Sequence, residues 1–442
     1  YNEDPDAVMT RLRAMIESIA DTGQAAQFDW FLLSDTTDPD IWIGEEAAFL
    51  ALRQACSGAR VFYRHRADNV ARKPGNIAEW VRRFGDAYEH MIILDADSLM
   101  SGTTVVRLAH AMEQAPQAGL IQTLPVIVNG TSLFARLQQF AGRLYGPVIA
   151  AGNAWWYGSE GNYWGHNAII RVTAFAQDAA LPELRGRKPF GGHILSHDFV
   201  EAALMRRAGW SVWIAYDLAG SYEEMPPNLL DELKRDRRWC QGNLQHLAVL
   251  PARGLHWASR LHLLIGIGAY VTAPLWLAFL VLGILISLQA NFVRPEYFPK
   301  GFALFPSWPA QDPVLAAQVF GATIGLLMIP KLLACLATLV TATRRRGFGG
   351  GVRLCAAVLT ETLLSALIAP SMMIFQSVAV IEILLGRDAG WQVQRRSDGG
   401  VSRQEIVSKF ALPTACGLVM AASAYAVSVP LLAWMSPVIA GL

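Results

Sequence analysis

From about residue 260 onward the chain carries apolar runs far longer than a soluble core accommodates, and nothing else in it restricts the fold as much. Residues 261–289 ("LHLLIGIGAYVTAPLWLAFLVLGILISLQ") and 313–342 are each long enough to cross a hydrocarbon layer, which takes roughly 20 helical residues. A third candidate lies within 352–386 and a fourth at 411–440. A hydrophobic content of 53% against 17% charged residues fits a chain of this kind, because the excess falls in the second half. The sequence therefore divides into residues 1–250, a water-facing domain, and a membrane region, 251–442.

Basic residues orient the runs. Arg344, Arg345, Arg346 and Arg353 lie between the second and third, and Arg387, Arg395, Arg396, Arg403 and Lys409 between the third and fourth. Positive charge marks cytoplasmic loops, so both stretches are expected on that side, with 291–312 outside. One simple crossing between two cytoplasmic loops is impossible. Segment 352–386, with Glu361, Glu382 and Pro370, is accordingly expected as interfacial or re-entrant helix. The opening "YNEDPDAV" has neither methionine nor signal peptide, and the chain ends on an apolar run. It is read as a fragment that lacks a first strand, with further membrane helices expected on either side.

A net charge of +1, with no basic stripe interleaved with aromatics, argues against nucleic-acid binding. Five scattered cysteines without a Cys-x-x-Cys pair argue against a disulfide framework or zinc site. In the first 260 residues short apolar runs alternate with helical patterns: 7–19 helix, "FDWFLLSD" strand, 45–56 helix, "ARVFYRH" strand, 78–83 helix, "HMIILDAD" strand. This alternation predicts an α/β, Rossmann-type domain with a mostly parallel sheet, whose ligands bind at the carboxyl ends of the strands. Asp35, Asp95 and Asp97 fall at such ends.

Four motifs carry the chemistry. In "HMIILDADSLMSG" a strand runs into Asp95-x-Asp97, a pair able to hold a hard divalent cation against a diphosphate; a solvated turn before a Ser-capped helix explains the same residues. "FLLSDTTDPD" places Asp35 at a second strand end, and "RKPGN" places Lys73 at a helix start. In "DELKRDRRWCQGN" Arg235 and Arg238 share a helix face beside Trp239, offering guanidinium groups to a diphosphate and an indole face to a sugar; a basic membrane anchor is the alternative. In "GGHILSHDFVEAALMRRAGW" Asp198 opens an amphipathic helix, either as a first-turn carboxylate or as a general base. His193 and His197 lack a third ligand at metal spacing.

This set, together with "SEGNYWGHNAIIR", resembles the processive family 2 glycosyltransferases of the cellulose-synthase group, and within it the branch that builds the backbone of osmoregulated periplasmic glucans. The resemblance covers nearly the whole chain. It implies a GT-A-like nucleotide-sugar domain in which Asp35 meets uridine, Lys73 and Asp95 the nucleotide, and Asp97 with Asp95 a Mg²⁺ or Mn²⁺ ion. It makes Asp198 the base, Arg238 with Arg235 the diphosphate contact, and Trp239 the acceptor platform. Trp164, Tyr163 and Trp156, with Trp155 and Tyr157, would line the path of the growing glucan; core packing explains the same aromatic set. "GWQVQRRSDGG" resembles the family's gating loop (387–400), with Trp391, Val393, Gln394 and Arg396 at matching positions and Gln394 and Arg396 facing the donor.

The chain has Ser196-His197-Asp198 where cellulose synthases have Thr-Glu-Asp, and Arg235-x-x-Arg238-Trp239 where they have Gln-x-x-Arg-Trp. Both departures point away from cellulose and fit the periplasmic-glucan branch. The resemblance thus implies an inner-membrane, multi-pass enzyme with a cytoplasmic catalytic domain that polymerises glucose from UDP-glucose, with inversion, into a β-1,2-linked backbone. Implied partners are the bilayer, the growing glucan, acyl carrier protein and periplasmic glucan-processing proteins. Polar residues such as Lys331 and Glu361 within apolar runs suggest a passage through which synthesis drives export. Sugar transfer to a lipid phosphate carrier, another β-polysaccharide synthase, and a non-catalytic nucleotide-sensing membrane protein are the competing readings.

Overall fold

A computed structural model describes residues 1–293, 313–388, 390 and 400–442. The described residues fall into two compact units, one comprising Tyr1–Gly268 and the described part of Ile383–Asp398, the other Ala269–Glu382 and the described part of Gly399–Leu442.

The first unit begins with α1 (Pro5–Ala20), capped by the Asp4 carboxylate, which accepts from the Asp6 and Ala7 amides. Met9, Leu12, Met15, Ile16 and Ile19 recur at helical spacing and form its buried face. Then come β1 (Asp29–Ser34), α2 (Pro39–Ala55), β2 (Arg60–His65), α3 (Arg72–Phe84), β3 (His90–Ile93), β4 (Leu99–Met100) and α4 (Gly102–Gln114). The α1 and α4 helices touch through Gly102, where a Cβ would stand 2.1 Å from the Ser18 carbonyl oxygen, so only glycine permits this approach. They are followed by β5 (Ala118–Thr123), β6 (Val126–Ile127), α5 (Leu133–Tyr157), β7 (Ala168–Arg171), α6 (Val172–Asp178), α7 (His197–Arg207), β8 (Ser211–Ala215), β9 (Ser221–Glu223) and α8 (Leu229–Val249).

The α/β class expected from the alternation is present, and its sheets are mixed. Strands β1 and β2 pair in parallel. The four-stranded sheet has the order β3-β7-β5-β8, with β7 antiparallel to both neighbours and β5 parallel to β8. All six residues of β5 are buried, as a central strand covered on both faces requires. Helix α7 is not amphipathic as expected: Val200 through Met205 are all buried, because it packs on two sides, Ala202 and Met205 toward the sheet and Val200, Ala203 and Leu204 toward α8 and the chain beyond.

Helices α9 (Trp257–Phe292), α10 (Pro313–Val340), α12 (Gly351–Leu384) and α13 (Arg403–Val427) are long and apolar enough to cross a membrane; α11 (Ala342–Gly347) and α14 (Val429–Ala440) are short. One segment narrows an expectation and another departs from it. Residues 351–384 form one unbroken helix that does not turn back at Pro370, since an apolar helix tolerates the one backbone hydrogen bond that proline removes. The run at 411–440 is not one helix: the chain breaks at extended Ser428, whose hydroxyl caps α14 by accepting from the Leu431 amide. Thr414 then donates to the Leu442 carbonyl, so α14 folds back on α13.

Candidate functional site

Asp95 and Asp97 lie in the turn between β3 and β4. The turn is tied by Ser98, whose hydroxyl accepts from the Asp95 amide at 3.0 Å, and by Arg11 of α1, which donates to the Ala96 carbonyl at 3.1 Å. Lys73, in the first turn of α3, pairs with the Asp95 carboxylate and donates to the Gly165 carbonyl at 2.8 Å. Gly75 explains the "RKPGN" motif: a Cβ there would lie 2.1 Å from the Val70 carbonyl oxygen, so the tight turn that presents Lys73 needs glycine.

The antiparallel β7 strand brings a second carboxylate to this point. Its register sets Ala168 opposite Ile93, and the Asn167 amide donates to the Ile93 carbonyl at 2.7 Å, so residues 163–167 run beside the exit of β3. Within that stretch Gly165 has φ +95°, and its Cβ position lies only 3.3 Å from Asp198 Oδ2. One glycine thus touches both the lysine bound to Asp95 and the candidate base. Burial raises the Asp198 carboxyl above its usual range, and His197 opposes part of that rise.

Helix α8 is docked on the start of α7. Gly242 sits against Ser196, leaving no space for a Cβ, and His246 Nε2 donates to the Ser196 carbonyl at 2.9 Å. Gln245 Oε1 accepts from the Leu195 amide at 2.9 Å. This junction carries the basic face of α8 toward the strand ends. The Arg238 guanidinium is pushed down to about 10 by burial and by Arg235, while Asp95 partly offsets the effect. Arg235 donates to Glu232 at 2.8 Å and stacks 4.4 Å above the Trp239 ring, so it supports the indole as well as adding charge. Trp239 is 41% exposed and offers a face.

The other expected residues have settings of their own, and one of them, Tyr163, departs from expectation. Asp35 is buried and held by both Nε and Nη2 of Arg66, at 2.6 and 2.8 Å, an ion pair absent from the sequence reading. Arg66 also donates to the Val70 and Arg72 carbonyls, so Asp35 anchors the loop ahead of Lys73. Tyr163 is 1% exposed and packs with Leu120, Ala168 and Val212; it is a core residue and not a sugar platform, because its ring is consumed by the sheet. Trp164 is half-buried, its amide donating to Gln122 at 2.6 Å. Trp156 and Trp155 are exposed at the end of α5, beside Tyr157, whose ring meets His262 of α9. Gln394 and Arg396, with Trp391 and Val393, lie outside the described residues.

Beyond Arg66, sequence reasoning missed His166 and Glu223, which approach to 3.4 Å. The Glu223 carboxyl is raised by burial and further by Asp97 and Asp95, and His166 counters the shift. Among the described residues no group of three or more His, Cys, Asp or Glu is arranged to hold a metal. The donor set fits a hard divalent cation nevertheless: Asp95 and Asp97 offer oxygen only, and such ions take remaining ligands from phosphate and water.

Residues 90–340 match the model of the glycosyl transferase family group 2, which spans β3, the Asp-x-Asp turn, Asp198 and α8. The chain belongs to this family. Similar proteins include glucans biosynthesis glucosyltransferase H of Bradyrhizobium diazoefficiens, 70% identical over the whole of this chain and 59% of the relative, and that of Rhodopseudomonas palustris (strain TIE-1), 66% identical over the whole chain and 61% of the relative. The chain therefore spans about three-fifths of the length of the curated relatives it matches. Among solved structures, a mannosyltransferase from Pyrobaculum calidifontis in complex with GDP-mannose and Mn²⁺ is similar at a TM-score of 0.45 and 13% identity, covering 82% of this chain and 84% of that one.

Proposed function

We propose that this group 2 transferase moves glucose from UDP-glucose onto a growing β-glucan with inversion at the anomeric carbon. The observation that carries this reading is the Gly165 junction, where Lys73, bound to Asp95, and the Asp198 carboxylate meet one backbone segment. Donor diphosphate at Asp95 and acceptor hydroxyl at Asp198 would then be held side by side, which removes much of the entropic cost of reaction.

Asp198 takes the proton of the acceptor hydroxyl as its oxygen attacks the sugar carbon opposite the leaving UDP. Arg238 and Lys73 stabilise negative charge gathering on the departing diphosphate. Asp95 and Asp97 would hold Mg²⁺ or Mn²⁺, which supplies further charge neutralisation there. The exposed face of Trp239 stacks on the acceptor sugar. The relatives' name supports glucan as the product. Reconstituted protein given radiolabelled UDP-glucose and Mg²⁺ is expected to release UDP and make polymer that β-glucosidase degrades; labelled lipid with no polymer would replace this reading with carrier transfer.

The catalytic unit is assigned to the cytoplasmic face of a bacterial inner membrane, with both basic stretches on that side. The support is charge, and also Asp388: just past α12, it lies 3.5 Å from Lys188 of the same compact unit as the active site. Helix α12 would thus begin and end on one face and lie along the membrane surface. Cysteines placed at Arg345 and Arg403 are both expected to react with impermeant maleimide only when the cytoplasmic face is open. Labelling of the two from opposite faces would make α12 a crossing helix.

A further inference from the structure

Beside Asp198 lies a buried pair that the transfer chemistry leaves unused. His197 Nδ1 stands 3.0 Å from Glu201 Oε1, and the two side chains are 9% and 2% exposed. A carboxylate buried this deeply is costly unless a cation faces it. Among the described residues four titratable groups face Asp198: His197 and Glu201 on its own helix, Lys73 from α3, and Tyr163 from the segment ahead of β7, with the Gly165 backbone between the last two. Lys73 is already engaged by Asp95 and the Gly165 carbonyl. The Tyr163 hydroxyl has no hydrogen-bond partner among the described residues and donates nothing to Asp198.

We propose that His197, held as an imidazolium by Glu201, is a positioning residue that keeps the Asp198 carboxyl ionised in its buried setting and so able to accept the acceptor's proton. Glu201 and Asp198 together outweigh the burial that would strip the proton from His197, and its affinity for that proton is raised. For Asp198 the signs run the other way: burial raises it, Glu201 raises it further, and His197 lowers it. Removal of His197 alone leaves Glu201 unopposed, so Asp198 protonates at higher pH. Removal of both charges returns Asp198 near its starting point.

The inference rests on Asp198 being the base, and its test separates the two. In reconstituted protein, kcat/KM for UDP-glucose is followed against pH for wild type, His197→Gln and the double variant His197→Gln/Glu201→Gln, with UDP binding as the control for folding. The single variant is expected to move the acid limb upward by roughly one pH unit with UDP affinity unchanged, and the double variant to bring it back to the wild-type position. A single variant that no longer binds UDP, beside a double variant that does, supports the same ion pair through folding. An unmoved limb in the single variant, an equal displacement in both, or loss of UDP binding in both overturns it. If Asp198→Asn retains wild-type turnover, the base assignment itself fails; if that variant is inactive and the limb stays put, only the ion-pair inference fails.

Discussion

Asp198→Asn is expected to lower turnover by roughly 10²–10⁴-fold, the contribution of a positioned general base, while UDP binds with nearly wild-type affinity. The amide preserves the shape of the side chain against Gly165 but cannot accept the proton. The prediction separates Asp198 from Asp97, whose replacement by Asn should instead weaken Mg²⁺-dependent UDP binding. Rate against UDP-glucose concentration, with UDP binding measured by calorimetry on the same preparations, distinguishes the two. Turnover within tenfold of wild type in Asp198→Asn would move the base elsewhere, and Glu223, a half-buried carboxyl close to Asp95 and Asp97, would be next to test.

What the sequence made legible were features whose cause is local. The strand before Asp95, the helix opening at Asp198 and the basic face around Arg238 all follow from apolar periodicity and residue type over a few positions. The antiparallel β7 was not legible, because its direction depends on pairing with β3 across some 75 residues of chain, and no short-range pattern distinguishes it from a parallel strand. The partners of Asp35 and of Asp198 were missed for different reasons. Arg66 is 31 residues from Asp35 and meets it only when β1 and β2 pair, whereas the His197–Glu201 spacing of four was in plain view but His197 was weighed only with His193, as a metal pair. Tyr163 was misassigned because an aromatic run was treated as one surface; a residue buried against the sheet core cannot also line a path. The break at Ser428 had a signal, a serine cap followed by Pro430 in the first turn, which continuous apolarity masked.

Lys331→Met is expected to cost about 3–5 kcal/mol, the penalty for leaving one partner of a buried ion pair uncompensated. Lys331 Nζ lies 2.9 and 2.7 Å from the two oxygens of Glu361, and the Glu361 side chain is only 4% exposed. Ser365 adds a hydrogen bond to the same carboxylate at 2.8 Å. The pair joins α10 to α12 inside an apolar unit, where the alternatives to pairing are expensive. Thermal unfolding in detergent should therefore show a large drop for Lys331→Met, and recovery of most of it in Lys331→Met/Glu361→Leu, since two apolar groups replace a pair that roughly breaks even. An unchanged transition in the single variant would mean that Glu361 does not need the lysine. The same variants decide whether these residues serve a polymer path. Because each satisfies the other, they do not have to face a polar passage to be tolerated, and on the proposed polymerase reading the double variant should still make glucan and lose no export that wild type shows. UDP release without export from sealed vesicles would restore the passage, since only a polymer in transit would then miss the charges.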